Sequence, residues 1–142
     1  MFFENQAANA ESIKRERTIY GPVSPTAVGN EIAVDDIGRA TAEVISQYEK
    51  HQNKKYHLTG PELISYSDYA KAFSSVLGQQ IQYKQLPYEE MQKQLVSKGV
   101  PGDYAKALLE LMSMRDTNPP TKTWSGMPGS LDVCQYPCTH IV

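Results

Sequence analysis

Apolar positions recur along this chain with two periods, and the period changes at glycines and prolines. Between residues 66 and 77, Tyr66, Tyr69, Ala70, Phe73 and Leu77 share one side of a helix, because side chains three and four apart stack on the same face. Ser65 is placed to cap it, Asp68 stands in the returning position of a capping box, and Ile64 can staple onto Tyr69. Gly78 supplies a left-handed stop. A second helix is predicted from Ile37, Ala40, Thr41, Val44, Ile45 and Tyr48, with Asp35 or Asp36 as its cap. Phe3, Ala7 and Ala10 give a thinner stripe and predict a helix over 3–17. Pro87 opens a helix carrying Tyr88, Met91, Leu95 and Val96 that Gly99 ends. Pro101 opens the last one, where Tyr104, Ala107, Leu108, Leu111 and Met112 are expected to face the core.

The other period is two. In "QIQYKQL", Ile81 and Tyr83 point to one side, which predicts a strand over 80–86 with one wet face. Shorter strands are predicted at Thr18, Ile19 and Tyr20, stopped by Gly21-Pro22, at 32–34, and at 56–59. Residues 24–30 read as a loop, and Thr59-Gly60-Pro61 as a turn between strand and helix. The expected fold is α/β, helix-rich with a few short strands. The regular pattern spans residues 1–115. Residues 116–142 hold four of the nine prolines and show neither period, so they read as an irregular tail.

Composition narrows the function classes. With 142 residues, 40% hydrophobic and 21% charged, the chain has the make-up of one folded domain. Its formal net charge of -2 argues against a nucleic-acid partner, since Lys14, Arg15 and Arg17 are interrupted by Glu16 and no denser basic run exists. The start "MFFENQAANAESIKRER" is neither an apolar secretory core nor a membrane span, so no membrane contact and a cytoplasmic location are expected. Cys134 and Cys138 are too few for a disulfide framework, and with His140 they form C-x3-C-x-H, an unusual zinc spacing. No metal site is expected.

Catalytic patterns are scarce. The chain contains no G-x-S-x-G, no H-E-x-x-H, no P-loop and no G-x-G-x-x-G. Nothing in the sequence pairs His51, His57 or His140 with a nucleophile or an acid, and no Tyr-x-x-x-Lys occurs. Asp35 and Asp36 suit a helix dipole better than a metal. Gly60 alone cannot cradle a phosphate, because Pro61 removes a donor where one is needed.

Four segments, in order, resemble one family. "MFFENQAANAESIKRERTIYGPV" is similar to a Phe-Phe stretch with Glu-Asn that precedes a helix and an Ile-Tyr-Gly-Pro strand and turn. "EIAVDDIGRATAEVI" resembles a Val-Asp-x-Asp-Ile-Gly-Arg helix start. "KYHLTGPELISYSDYAKAFSSVLGQQIQY" resembles a Tyr-x-Leu-Thr-Gly-Pro-Glu element with its helix, and "LPYEEMQKQLVSKGVP" continues the match. These are features of the NmrA-like proteins, atypical short-chain dehydrogenases of the NAD(P)-binding Rossmann superfamily, and the resemblance is to their C-terminal half only. It implies a reductase or a redox-sensing regulator using NADP or NAD. It also implies that the glycine-rich nucleotide turn belongs to an N-terminal half lying before these residues, so the cofactor is not expected to be bound by this chain alone. No catalytic and no cofactor-binding residue carries over. Phe3, Asn5, Tyr20 and Pro22 match positions beside the family's substrate cleft, although a capped helix start and a packed turn account for them equally well. The alternatives are a non-catalytic interaction or regulatory module, self-associating or docked to a protein partner through unpaired strand edges, and a truncated fragment. The tail after Trp124 does not resemble the family's last helix.

Overall fold

The computed structural model describes residues 2–117 and divides the chain into two units, residues 2–6 with 30–63 and residues 7–29 with 64–117. The tail, with Cys134, Cys138 and His140, lies outside the described residues. The architecture is α/β, with short strands and predominantly helical segments.

The first unit is built on α2 (Val34–Ser46) and the single turn α3 (Tyr48–His51). Ala40 is its inward anchor at 6% exposure, with Ile37 and Val44 half-buried. Ile45 and Tyr48, expected on the same inner face, are instead 70% and 65% exposed. The stripe runs for more than three turns, and the residues at its C-terminal end are left exposed. Two predicted strands are also corrected. Ile32 makes only an isolated parallel bridge to Phe2, and Val34 already belongs to α2. Residues 56–59 are not a strand; the nearest strand is β3 (Leu63–Ser65), just beyond the turn. A strand needs a neighbour for its backbone groups, and among the described residues 56–59 belong to neither two-stranded sheet.

Gly60 has a function beyond a turn. It is buried, and a Cβ there would collide with the backbone carbonyl oxygen of Glu31. Two backbone segments pass at a distance only glycine permits. His51 caps off this unit, its Nδ1 lying 2.7 Å from the Tyr56 hydroxyl with the rings edge to face. That contact makes it a packed histidine.

The second unit holds most of the buried hydrophobic residues. A 3-10 helix (Phe3–Asn9), whose residues 3–6 belong to the first unit, leads into α1 (Ala10–Glu16) where a single helix was expected. Ile13 is the one buried residue of α1, and Arg17 in the left-handed region (φ 52°) ends it, its N–H bonding to the Ile13 carbonyl at 3.0 Å. β1 (Thr18–Gly21) then pairs in parallel with β4 (Gln82–Gln85), with Ile19 opposite Tyr83 and Tyr20 opposite Lys84. The alternation is as read: Ile19 is fully buried, and Gln82 and Lys84 are exposed on the wet face. Within 24–30, read as a loop, β2 (Val28–Asn30) forms and joins β3 in a second two-stranded sheet.

α4 (Tyr66–Leu77) starts as the sequence dictates. The Asp68 backbone N–H donates to Ser65 Oγ at 3.2 Å, and the Ser65 N–H donates to Asp68 Oδ2 at 3.1 Å. Gly78 closes the helix at φ 62°. Ser65→Ala is expected to lower stability by about 1 kcal/mol, read from urea denaturation, since it orphans the Asp68 amide. The Ser65 hydroxyl and then its backbone N–H hold the Asp68 carboxyl below the usual range. A folded-state value depressed below the unfolded 3.8 gives stability that is present above that pH and lost as pH falls through it. The acid limb of the stability profile is therefore expected to flatten in Ser65→Ala.

α5 (Tyr88–Ser97) and α6 (Gly102–Thr117) form a hairpin in which the Tyr88 hydroxyl donates to the Lys106 carbonyl at 2.9 Å. Gly99, at φ 89°, lies between them. α6 runs two residues past the boundary expected at 115, and its inward residues are Ala105, Leu109 and Arg115. Tyr104, Ala107 and Leu111 face outward, contrary to expectation. α6 carries apolar residues on more than one face, so helical spacing alone does not say which face packs.

Candidate functional site

Phe3 and Asn5 lie in the first unit. The stretch that carries them is clasped to the start of α2 by three contacts: the Phe2–Ile32 bridge, the Phe3 N–H to the Ile32 carbonyl at 3.2 Å, and the Val34 N–H to Glu4 Oε1 at 2.9 Å. Phe3 is half-buried and Asn5 exposed. Asn5 sits inside the 3-10 helix, its N–H bonded to the Phe2 carbonyl at 3.1 Å, rather than at a cap position.

Glu4 is the residue sequence reasoning missed. The helix α2 has Ala33 at its N-cap, which offers no side-chain acceptor, and neither Asp35 nor Asp36 caps it. Both lie inside the first turn, where their charge still favours the dipole, and Asp35 pairs with Arg39 at 2.6 Å. The missing acceptor comes from Glu4, thirty residues earlier, beyond the range of any local capping rule. Glu4→Ala is expected to cost about 1 kcal/mol and to speed amide exchange at Val34. Glu4→Gln, which keeps an acceptor oxygen, is expected to restore most of the exchange protection.

Tyr20 and Pro22 lie in the second unit, on β1 and the turn that follows. The Tyr20 hydroxyl donates to the Glu16 carboxylate, and that bond, followed by desolvation and the carboxylate's charge, raises its pKa above the usual 10.0. A tyrosine held this way is a hydrogen-bond donor at neutral pH. Pro22 is half-buried, and its carbonyl accepts from Gln85 Nε2 at 3.2 Å. Tyr83, two residues before Gln85 on β4, also fixes the turn. Its hydroxyl donates to the Val23 carbonyl at 2.7 Å, and a Cβ at Gly21 would meet that hydroxyl at 2.7 Å.

Behind the turn is an aromatic stack. Tyr83 lies 4.7 Å from Tyr66 at an interplanar angle of 18°, and the Arg115 guanidinium carbon sits 5.5 Å from the Tyr66 ring centre. Desolvation raises Tyr66 to about 12 and also raises Tyr83, while lowering Arg115. Asp116, the next residue, accepts from the Ser24 N–H through both carboxylate oxygens at 3.1 Å. The end of α6 thus holds the β1–β2 connection in place. Tyr66 and Tyr83 were expected as apolar-face residues; that α6 supplies the cation over the Tyr66 ring had no local signal. Among the described residues no cluster of three or more histidines, cysteines and acids converges to hold a metal ion, and no helix is long and apolar enough to cross a membrane.

A pair of short parallel strands backed by a capped helix, followed by a helical hairpin, is the plan of part of a Rossmann-type α/β protein. The NmrA-like family model matches residues 2–132, and the chain belongs to that family. It is 32% identical over 130 residues to a festuclavine synthase I of Penicillium roqueforti, covering 88% of this chain and 44% of that protein. An agroclavine dehydrogenase of Claviceps fusiformis is 32% identical over 108 residues, 73% of this chain and 37% of the relative. An NAD(P)H azoreductase of Xenophilus azovorans is 26% identical, covering 80% and 39%. The chain therefore spans less than half the length of these relatives. Among solved structures, the fold matches a Citrobacter triphenylmethane reductase complexed with NADP(H), with a TM-score of 0.69 at 24% identity over 84% of this chain and 40% of that one.

Proposed function

We propose that this chain is the substrate-side, C-terminal portion of an NAD(P)-dependent reductase of the NmrA-like family. The observation that carries the reading is the family match over residues 2–132 together with coverage of only 37% to 44% of relatives named as a dehydrogenase and a synthase. In this reading Phe3 and Asn5 in the first unit, and separately Tyr20 and Pro22 in the second, are candidates for substrate contact that the family resemblance supplies. The Tyr20 hydroxyl, which donates its hydrogen bond to Glu16, keeps a lone pair that can accept another. NADP or NAD would lie on a glycine-rich turn supplied by residues outside these 142, in whose sequence no G-x-G-x-x-G occurs.

Two measurements test this. Translation of the DNA upstream of the Met1 codon is expected to show, in frame, a strand followed by a G-x-x-G-x-x-G turn; a stop codon with no such turn overturns the assignment to a larger reductase. Titration of the 142-residue chain with NADPH, followed by fluorescence, is expected to give no saturation at micromolar concentration. Saturation there would place the cofactor site within this chain and defeat the reading.

A second reading, a non-catalytic module that self-associates or docks to another chain, is favoured by one observation. Among the described residues β1 and β4 pair only with each other, whereas parallel strands are stable in larger, covered sheets. A stable, monodisperse monomer in light scattering counts against it.

A further inference from the structure

We propose that the outward face of α6 docks an amphipathic helix of a partner protein, one with apolar residues at heptad spacing and lysine or arginine opposite Asp103 and Glu110. On the reductase reading the part of the protein outside these 142 residues is a rival occupant of this face, and failure of the longer protein to bind such a helical peptide overturns the proposal. It starts from spacing. Tyr104, Ala107, Leu111 and Met114 fall at steps of three and four along the helix, the a and d positions of two successive heptads. All four are exposed, Tyr104 to 63%, Leu111 to 58% and Met114 to 52%. Meanwhile Ala105 and Leu109, on a different face, are completely buried in the unit's core. One apolar face already anchors α6, so the heptad face is additional. A seam of this spacing, with a small residue between two large ones, packs a second helix at a shallow crossing angle.

Charge selects the occupant. Asp103 and Glu110 occupy the g positions flanking the seam; both are exposed and neither forms an ion pair among the described residues. Lys106 lies farther round the helix, on the side of these acids away from the seam. On the other flank, the e positions are Leu108 and Arg115, half-buried and buried. A second copy packed antiparallel would set the acidic flank of one chain against that of the other. Packed parallel, it would need Arg115, which is turned into its own core over Tyr66. A helix with basic flanking residues meets neither obstacle, and complementary flank charges set partner choice in helix pairs.

Two three-heptad peptides with leucine at a and d test the proposal, one with lysine at e and g and its twin with glutamate there. By fluorescence anisotropy the full chain is expected to bind the lysine peptide at least about tenfold more tightly than the twin. Leu111→Asp is expected to abolish binding with the circular dichroism spectrum unchanged, because the residue is exposed. Asp103→Lys combined with Glu110→Lys is expected to reverse the preference. Binding of neither peptide, equal binding of both, or binding that survives Leu111→Asp overturns the proposal. So does a dimer in sedimentation that Leu111→Asp dissolves, which would make a second copy the occupant. In a Cys134→Ser, Cys138→Ser background, bimane attached to Leu111→Cys is expected to fluoresce equally with and without Trp124→Phe. Quenching that this substitution relieves would make the chain's own tail the occupant and overturn the proposal as well.

Discussion

Gly60→Ala is expected to be the most damaging single-methyl change in the first unit. The added carbon would overlap the Glu31 carbonyl oxygen, and neither atom belongs to a side chain that can swing away. Relief requires moving one of two backbone segments, so a loss of about 3 kcal/mol or more is expected, at the upper end of what overpacking costs. Gly38→Ala is the control. Gly38 lies within α2 with nothing within 4 Å of a built Cβ, and alanine there is expected to add about 1 kcal/mol by restricting the unfolded chain and favouring the helix. Urea denaturation of the two variants is expected to shift the midpoint in opposite directions. A tolerated Gly60→Ala would show that the two segments are not held together.

Tyr83→Ala is the second large effect. The ring stacks on Tyr66, shields the Gly21 turn and binds the Val23 carbonyl. Removing it is expected to cost about 3 to 5 kcal/mol, as for other large aromatic truncations. Tyr83→Phe keeps the stack and loses only the bond to Val23, at about 1 kcal/mol. The same stack sets the alkaline limit. Burial raises Tyr66 to about 12 from the unfolded value of 10.0, so its protonated form stabilises the fold fully below pH 10. That contribution falls as pH climbs toward 12. Absorbance near the tyrosinate band is expected to rise for the exposed tyrosines first and for Tyr66 only with unfolding. A Tyr66 that titrates near 10 in the folded protein would contradict its burial.

What the sequence discloses depends on how far apart the partners lie. Ser65, Asp68 and Gly78 are legible because cap, return bond and left-handed stop all fall within one helix. The strand at Gln82–Gln85 is legible because its two faces differ in polarity, though its pairing with β1, sixty-odd residues earlier, is not. Asp35 and Asp36 satisfied every local requirement for a cap, yet the acceptor came from Glu4. On α6 the helix was legible and its inward face was not, because Leu111 and Leu109 are equivalent in sequence and only packing separates them. The family resemblance pointed to Tyr20 and Pro22; the tyrosine stack and the end of α6 that hold their turn were visible only in three dimensions.

The Glu4 clasp makes one terminus of the described chain a handle on a distant helix. A peptidase that cut between Glu4 and Asn5 would leave every residue of α2 intact, yet remove the acceptor that closes its first turn. A cut or substitution at residue 4 would thus be felt near residue 34, and limited proteolysis there would report what happened at residue 4.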